Sequence, residues 1–226
     1  MIYNLIMNRI VLYHGSEKII EIPSNGGGGL YNDYGRGFYT TANKEMAMEW
    51  ANRKIKNGFV NKYSFDGRGL KIFDLTKLGA LKWIAVLMHN RDIDPQTKEL
   101  YRMRFDFLEE HYYPKEIEEC DVVVGYRADD AYFKFPMYFI RGELSLERLE
   151  EIYRLGHLGT QIALMSKKAF ERIKFISYEE VESIYYDRYR SRKNSVDKRF
   201  EEIRIEEINN TNTTKIDDLM KRYGEH

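Results

Sequence analysis

Apolar positions recur along this chain in short segments whose period keeps changing. Ile10 to Tyr13 is a brief continuous apolar run ending in His14-Gly15, which predicts a core strand whose last residues face a cleft. Ala47, Trp50, Ala51 and Lys54 share one face at i, i+3, i+4 spacing and predict a helix capped by Thr41 or Asn43. Val60 to Phe65 and Leu70 to Phe73 flank Asp66-Gly67-Arg68-Gly69, the pattern of a hairpin. Leu78 to Met88 and Lys98 to His111 carry helical periodicity, and Asp121 to Gly125 reads as a buried strand. Pro136 argues against one unbroken helix after Arg127-Ala128-Asp129-Asp130. Ser145 is a good cap for a helix to about Leu155, with Leu144 as its staple. Gly156 and Gly159 bracket a turn into a strand at Gln161 to Met165, then a short helix near Lys167 to Arg172 and a strand at Ile173 to Ser177. Short strands and helices mixed without strict βαβ alternation predict an α+β fold.

From Tyr178 the composition turns to charge, which divides the chain into residues 1–177 and a helical C-terminal extension, 178–226, broken by the polar stretch Asn209 to Thr214. Two readings of the extension stand together: a partner-binding or self-association element, or a solvated helix packed by Val181, Ile184 and Tyr185. Lys plus Arg and Asp plus Glu number 36 each, so no overall charge draws the protein to nucleic acid or an anionic membrane. A 14% aromatic share fits a packed globule rather than a disordered chain. The single cysteine, Cys120, allows no intrachain disulfide and reads as a half-buried thiol. Met1 to Met7 is cut off by Asn8-Arg9 before a secretory core is reached, and no run approaches the roughly 20 apolar residues of a membrane span. A cytoplasmic protein is expected.

The chemistry concentrates near the first strand. Tyr13-His14-Gly15-Ser16 is followed by Gly26 to Gly29, then by Gly35-Arg36-Gly37-Phe38-Tyr39-Thr40-Thr41, then by Trp50. A strand delivers an imidazole, glycines let backbone approach a ligand, and two aromatics can hold a planar ring between their faces. The glycine run lacks the Gly-Lys-Ser/Thr close of a Walker loop. No metal site is expected, because His14, His89, His111, His157 and His226 show no close ligand pair and Cys120 has no partner.

Taken in order, Ile10 to Ser16, Asp33 to Thr41, Asp121 to Gly125 and Thr160 to Leu164 resemble the ADP-ribosyltransferase superfamily. The likeness spans roughly residues 9 to 177 and lies in the His-Tyr-Glu branch that includes diphtheria toxin and the poly(ADP-ribose) polymerases. It is greatest to small bacterial members, many of them toxins of toxin–antitoxin pairs. The resemblance implies a split β-sheet core with surrounding helices, NAD as substrate, a cognate antitoxin as partner, and a protein or nucleic-acid acceptor. It assigns catalytic roles to His14, Tyr39 and Gln161. His14 is to hydrogen-bond ribose hydroxyls, Gly15 to hold the nicotinamide carboxamide through its backbone, and Tyr39 to stack on the ring with Trp50 in place of a second tyrosine. Ser16, Gly37 and Thr40 are expected in the pocket, and Arg36 and Arg53 at the pyrophosphate or else in solvent.

One position departs from the family pattern. A glutamate binds the nicotinamide-ribose hydroxyl there and favours positive charge at the sugar in the transition state; this chain has Gln161, which accepts the hydrogen bond without the charge. Gln161 suffices for a slow reaction, or a carboxylate such as Asp129 or Asp130 reaches the site, or the protein binds without turnover. The expected function is mono-ADP-ribosyl transfer through Gln161, with a catalytically weak nucleotide-binding interaction module as the alternative. A third possibility is a nucleic-acid-binding regulator acting through Arg188 to Lys193, with steep salt dependence.

Overall fold

The computed structural model describes residues 8–52, 57–128, 133–154, 159–182, 185–208, 210 and 213–224. Arg53, Lys54, Asp129, Asp130, Leu155, Gly156, His157, Ile184 and His226, all named above, lie outside the described residues. The fold is mixed α and β with two sheets. The first sheet has the order β1 (Arg9–Ser16), β3 (Gly58–Asp66), β7 (Ile173–Val181), antiparallel throughout. The second runs β2 (Phe38–Thr40), β6 (Thr160–Leu164), β5 (Val122–Tyr126), β4 (Ile72–Asp74), with only β4 and β5 parallel. The sheets meet where Tyr13 and Thr41 exchange backbone hydrogen bonds of 2.8 and 2.9 Å.

Alternation along the strands explains the runs of apolar residues. Val122 and Val124 of β5 and Ile162 and Leu164 of β6 face a core between the sheets with Leu12, Phe38, Tyr63 and Phe65. Val123 and Ala163 face the other way, into a larger cluster built by helices around Trp83 and Leu87. A strand buried on both faces has no polar side to show.

Nine α-helices are described: α1 (Lys44–Ala51), α2 (Ala80–Asn90), α3 (Pro95–Leu100), α4 (Arg102–Tyr112), α5 (Lys134–Ile140), α6 (Leu146–Arg154), α7 (Lys167–Phe170), α8 (Tyr185–Ile208) and α9 (Ile216–Gly224). Asn43 caps α1, its side chain accepting from Met46 N. The periodic stretch Lys98 to His111 is not continuous; Asp94 caps α3, which ends at Tyr101 before α4 begins. Pro136 sits in the first turn of α5, where its missing N–H costs no intrahelical bond.

The expected hairpin between Val60–Phe65 and Leu70–Phe73 does not form. β3 pairs with β1 and β7, while the chain after the turn crosses to the second sheet, where β4 lies parallel to β5. Asp121 captures that segment: Lys71 N donates to Asp121 Oδ2 at 2.8 Å, and Asp121 N donates to Lys71 O at 2.9 Å. The last strand runs on to Val181, past the expected boundary at residue 177.

Phe200 and Ile203 of α8 and Ile216 and Leu219 of α9 are buried in the same cluster as Trp83. Buried Glu207 accepts from Ser145 Oγ at 3.0 Å and pairs with Lys215, tying α8 to the cap of α6. Arg192 Nε lies 2.8 Å from Glu49 Oε2 and Arg188 lies 3.3 Å from Glu45, so two cations of the basic run hold α8 to α1.

Candidate functional site

The strands near the meeting point each contribute side chains. His14 follows Leu12 on the same face of β1, and its ring lies 4.5 Å from that of Phe38. His14 Nδ1 donates to the Tyr39 carbonyl at 2.6 Å, so Nδ1 carries a proton. On the second sheet Tyr39 stands opposite Ala163, and Gln161, two residues earlier on β6, shares that face. Gly15 is a glycine because α1 crosses it: a Cβ there would lie 1.9 Å from Ala47 O. The close approach swings α1 in, and with it Trp50.

These elements enclose one cavity of about 410 Å³. His14, Gly15, Gly37, Tyr39, Trp50 and Gln161 all line it, with Phe38, Gly27 to Gly29, Ile20, Asp33, Arg91 and Arg127. The glycine run is thus part of the wall. Its neighbour, the segment after β1, is held by buried Asn61, which accepts from Ile20 N at 2.8 Å and donates to Lys18 O at 3.1 Å.

Three expected pocket residues are absent from the wall. Ser16 turns back on Lys18, whose N–H it accepts at 3.2 Å. Thr40 is fully buried, donating to Ile162 O at 2.8 Å. Arg36 is exposed. The cations of the wall are instead Arg91 and Arg127, the latter with its guanidinium 5.5 Å from the Trp50 ring centre.

Asp33 is a residue of the wall that the sequence did not single out. It is 6% exposed and lines the cavity. Its Oδ2 accepts from Gln161 Nε2 at 2.7 Å and from Ala128 N at 2.9 Å, and its Oδ1 lies 3.3 Å from Arg91 Nη1. Burial pushes its carboxyl pKa up, against the opposing pull of the Ala128 N–H, Arg91, Gln161 and Arg127.

Tyr39 offers the cavity a ring rather than an acid–base group. Its hydroxyl donates to Gly35 O at 2.7 Å and accepts from Tyr34 N at 2.9 Å. Burial first, then the charge of Asp33, hold its pKa well above the usual phenol value. Trp50 Nε1 is buried without a hydrogen-bond partner among the described residues.

Residues 10–175 match the model of a family described as "Protein of unknown function (DUF3990)". The chain belongs to this family. No curated protein and no solved structure matches it. The DUF3990 match takes in β1 through most of β7, and with them every residue of the cavity wall, while α8 and α9 lie beyond it. Among the described residues no group of three or more His, Cys, Asp or Glu is placed to hold a metal, and no helix is long and apolar enough to cross a membrane. Cys120 is half-buried, its thiol 3.1 Å from Glu116 O and its pKa raised chiefly by burial.

Proposed function

We propose that this protein is an NAD-dependent mono-ADP-ribosyltransferase with an ADP-ribosyltransferase-like split-sheet core. One observation carries the reading: His14, Tyr39 and Gln161, drawn from β1, β2 and β6, border a single cavity together with Gly15 and Trp50. The cavity fits the substrate in kind. Its volume lies in the range of small-molecule sites, about 300–1,000 Å³, and its wall combines aromatic faces with a few converging polar groups. The buried Trp50 Nε1 adds a donor with no partner among the described residues.

NAD supplies the glycosidic bond: nicotinamide departs with the bonding pair, and an acceptor's lone pair forms the new bond at C1′ while the acceptor loses a proton. The chain's own residues bind and orient. Gly15 offers backbone groups, Tyr39 and Trp50 offer ring faces for the nicotinamide, and His14 offers its imidazole to ribose hydroxyls. Arg91 and Arg127 put positive charge in the wall, which suits a pyrophosphate better than exposed Arg36 does. The toxin role, a cytoplasmic site of action, a cognate antitoxin and a protein or nucleic-acid acceptor follow from the family resemblance and are part of the proposal.

The test is to incubate the pure protein with NAD labelled in the adenylate and a cell extract. Label should pass to a macromolecule as nicotinamide is released; failure to label anything, with no NAD binding, would sink the reading. The neutral amide at Gln161 favours a second reading, a module that binds the nucleotide without turnover. NAD binding without nicotinamide release would select it.

A further inference from the structure

We propose that Asp33 and Gln161 act as one unit: the carboxylate of the reaction sits at 33, and the amide at 161 presents its oxygen to a ribose hydroxyl. This rests on the NAD reading above and refines it. Asp33 is the one carboxylate in the cavity wall among the described residues. It is fixed from three directions, by Gln161 of β6 at 2.7 Å, by Ala128 N after β5 at 2.9 Å, and by Arg91 after α2 at 3.3 Å.

The geometry sets the roles of the two ends of the amide. Gln161 Nε2 donates to Asp33, and Oε1 is the end whose chemistry lets it accept from a hydroxyl. Once the pH exceeds the raised pKa of Asp33, the bond runs to an ionised carboxylate, which is stronger than a neutral one and polarises the amide, making Oε1 a better acceptor. The negative charge of the site therefore stands one residue back from where a glutamate would hold it.

The same distance explains why position 161 is not a glutamate. A carboxylate there would meet that of Asp33 at hydrogen-bond range, and two such groups share one proton instead of both ionising. Arg91, Arg127, Tyr34 and Tyr39 are the other titratable groups acting on this pair. Asp33 acts through Gln161 and is a positioning residue.

A reciprocal swap tests the pair, using the full chain as wild type, Asp33→Asn, Gln161→Glu and the double variant. Nicotinamide release is measured against NAD concentration and pH. Asp33→Asn is expected to lower kcat about tenfold or more with KM for NAD changed less than about threefold, the split expected when charge acts in the transition state. Gln161→Glu is expected to lower kcat and move the acid limb of its pH profile upward. The double variant, again one acid against one amide, is expected to recover most of the loss. Undiminished kcat in Asp33→Asn, or a double variant no better than the worse single, overturns the proposal. Unfolding midpoints of the four proteins separate this from the NAD reading. If the wild type releases no nicotinamide, the transferase reading and the catalytic role of the pair fall together. Recovery of the midpoint in the double variant still establishes the pairing, and purely additive losses refute it.

Discussion

Replacing Gly15 by alanine tests how the fold builds the cavity. The added Cβ would lie 1.9 Å from Ala47 O and 2.6 Å from Ala51 N, both backbone atoms of α1, where contacts under 3.0 Å do not occur. No side-chain rotamer relieves this, so the helix must withdraw by an ångström or so. Overpacking costs about 1–3 kcal/mol, and two backbone partners put this site near the upper end. For a chain of this size each kcal/mol moves Tm by roughly 2–4 °C, so a loss of about 6–12 °C is expected. Thermal unfolding followed by circular dichroism measures it, with Gly29→Ala as control, where the nearest atoms are those of the Asn32 side chain at 3.5 Å or more. Because α1 carries Trp50, NAD affinity should fall together with Tm. A Tm within about 2 °C of wild type would refute the packing argument. A lowered Tm with unchanged NAD affinity would remove α1 from the binding wall.

Phe200→Ala should destabilise by about 3–5 kcal/mol, because this buried ring packs edge-on at 4.9 Å from Phe135 and 4.7 Å from Tyr138; denaturant unfolding checks it, and a loss under about 1 kcal/mol would mean that α8 does not share the main core. Tyr39→Phe removes a hydroxyl that satisfies Tyr34 N and Gly35 O, so stability should drop by about 1–3 kcal/mol while NAD binding persists; Tyr39→Ala should abolish binding as well, read by titration calorimetry. Asp33 has a folded pKa above its unfolded value of about 3.8, so its ionisation opposes folding. Relative to Asp33→Asn, wild type should be favoured most below about pH 4 and lose that advantage as pH rises through the folded pKa, by up to about 1.4 kcal/mol per pH unit. Urea midpoints of both proteins from pH 4 to 8 test this, and a wild-type advantage that grows with pH would mean that Arg91 and the hydrogen bonds outweigh burial.

Continuous apolar runs made β5 and β6 legible, since strands buried on both faces show that pattern locally; β1 carries a similar short run although only Leu12 of it is buried. The turn at Asp66 to Gly69 misled because Gly-rich turn chemistry is the same whether the chain folds back on itself or leaves for another sheet. What decides is Asp121, held to Lys71 across 50 residues. His14, Gly15, Tyr39, Trp50 and Gln161 stood out because they follow the order of the resembled family along the chain, and all five border one cavity. Thr40, expected in the pocket as a neighbour of Tyr39, is instead fully buried with its hydroxyl on Ile162 O. Asp33 stood inside a quoted motif, yet its partners Ala128 and Gln161 lie 95 and 128 residues away, beyond any local pattern. Arg91 and Arg127 were hidden for the same reason.

A crystal structure of the protein with NAD tests the central claim most directly. Electron density for the nicotinamide ring against Tyr39 and Trp50, with the adjoining ribose beside Gln161 Oε1 and the His14 imidazole within reach of the other sugar, is the expected result. NAD bound at another surface, or crystals grown at saturating NAD with the cavity holding only solvent, would contradict it.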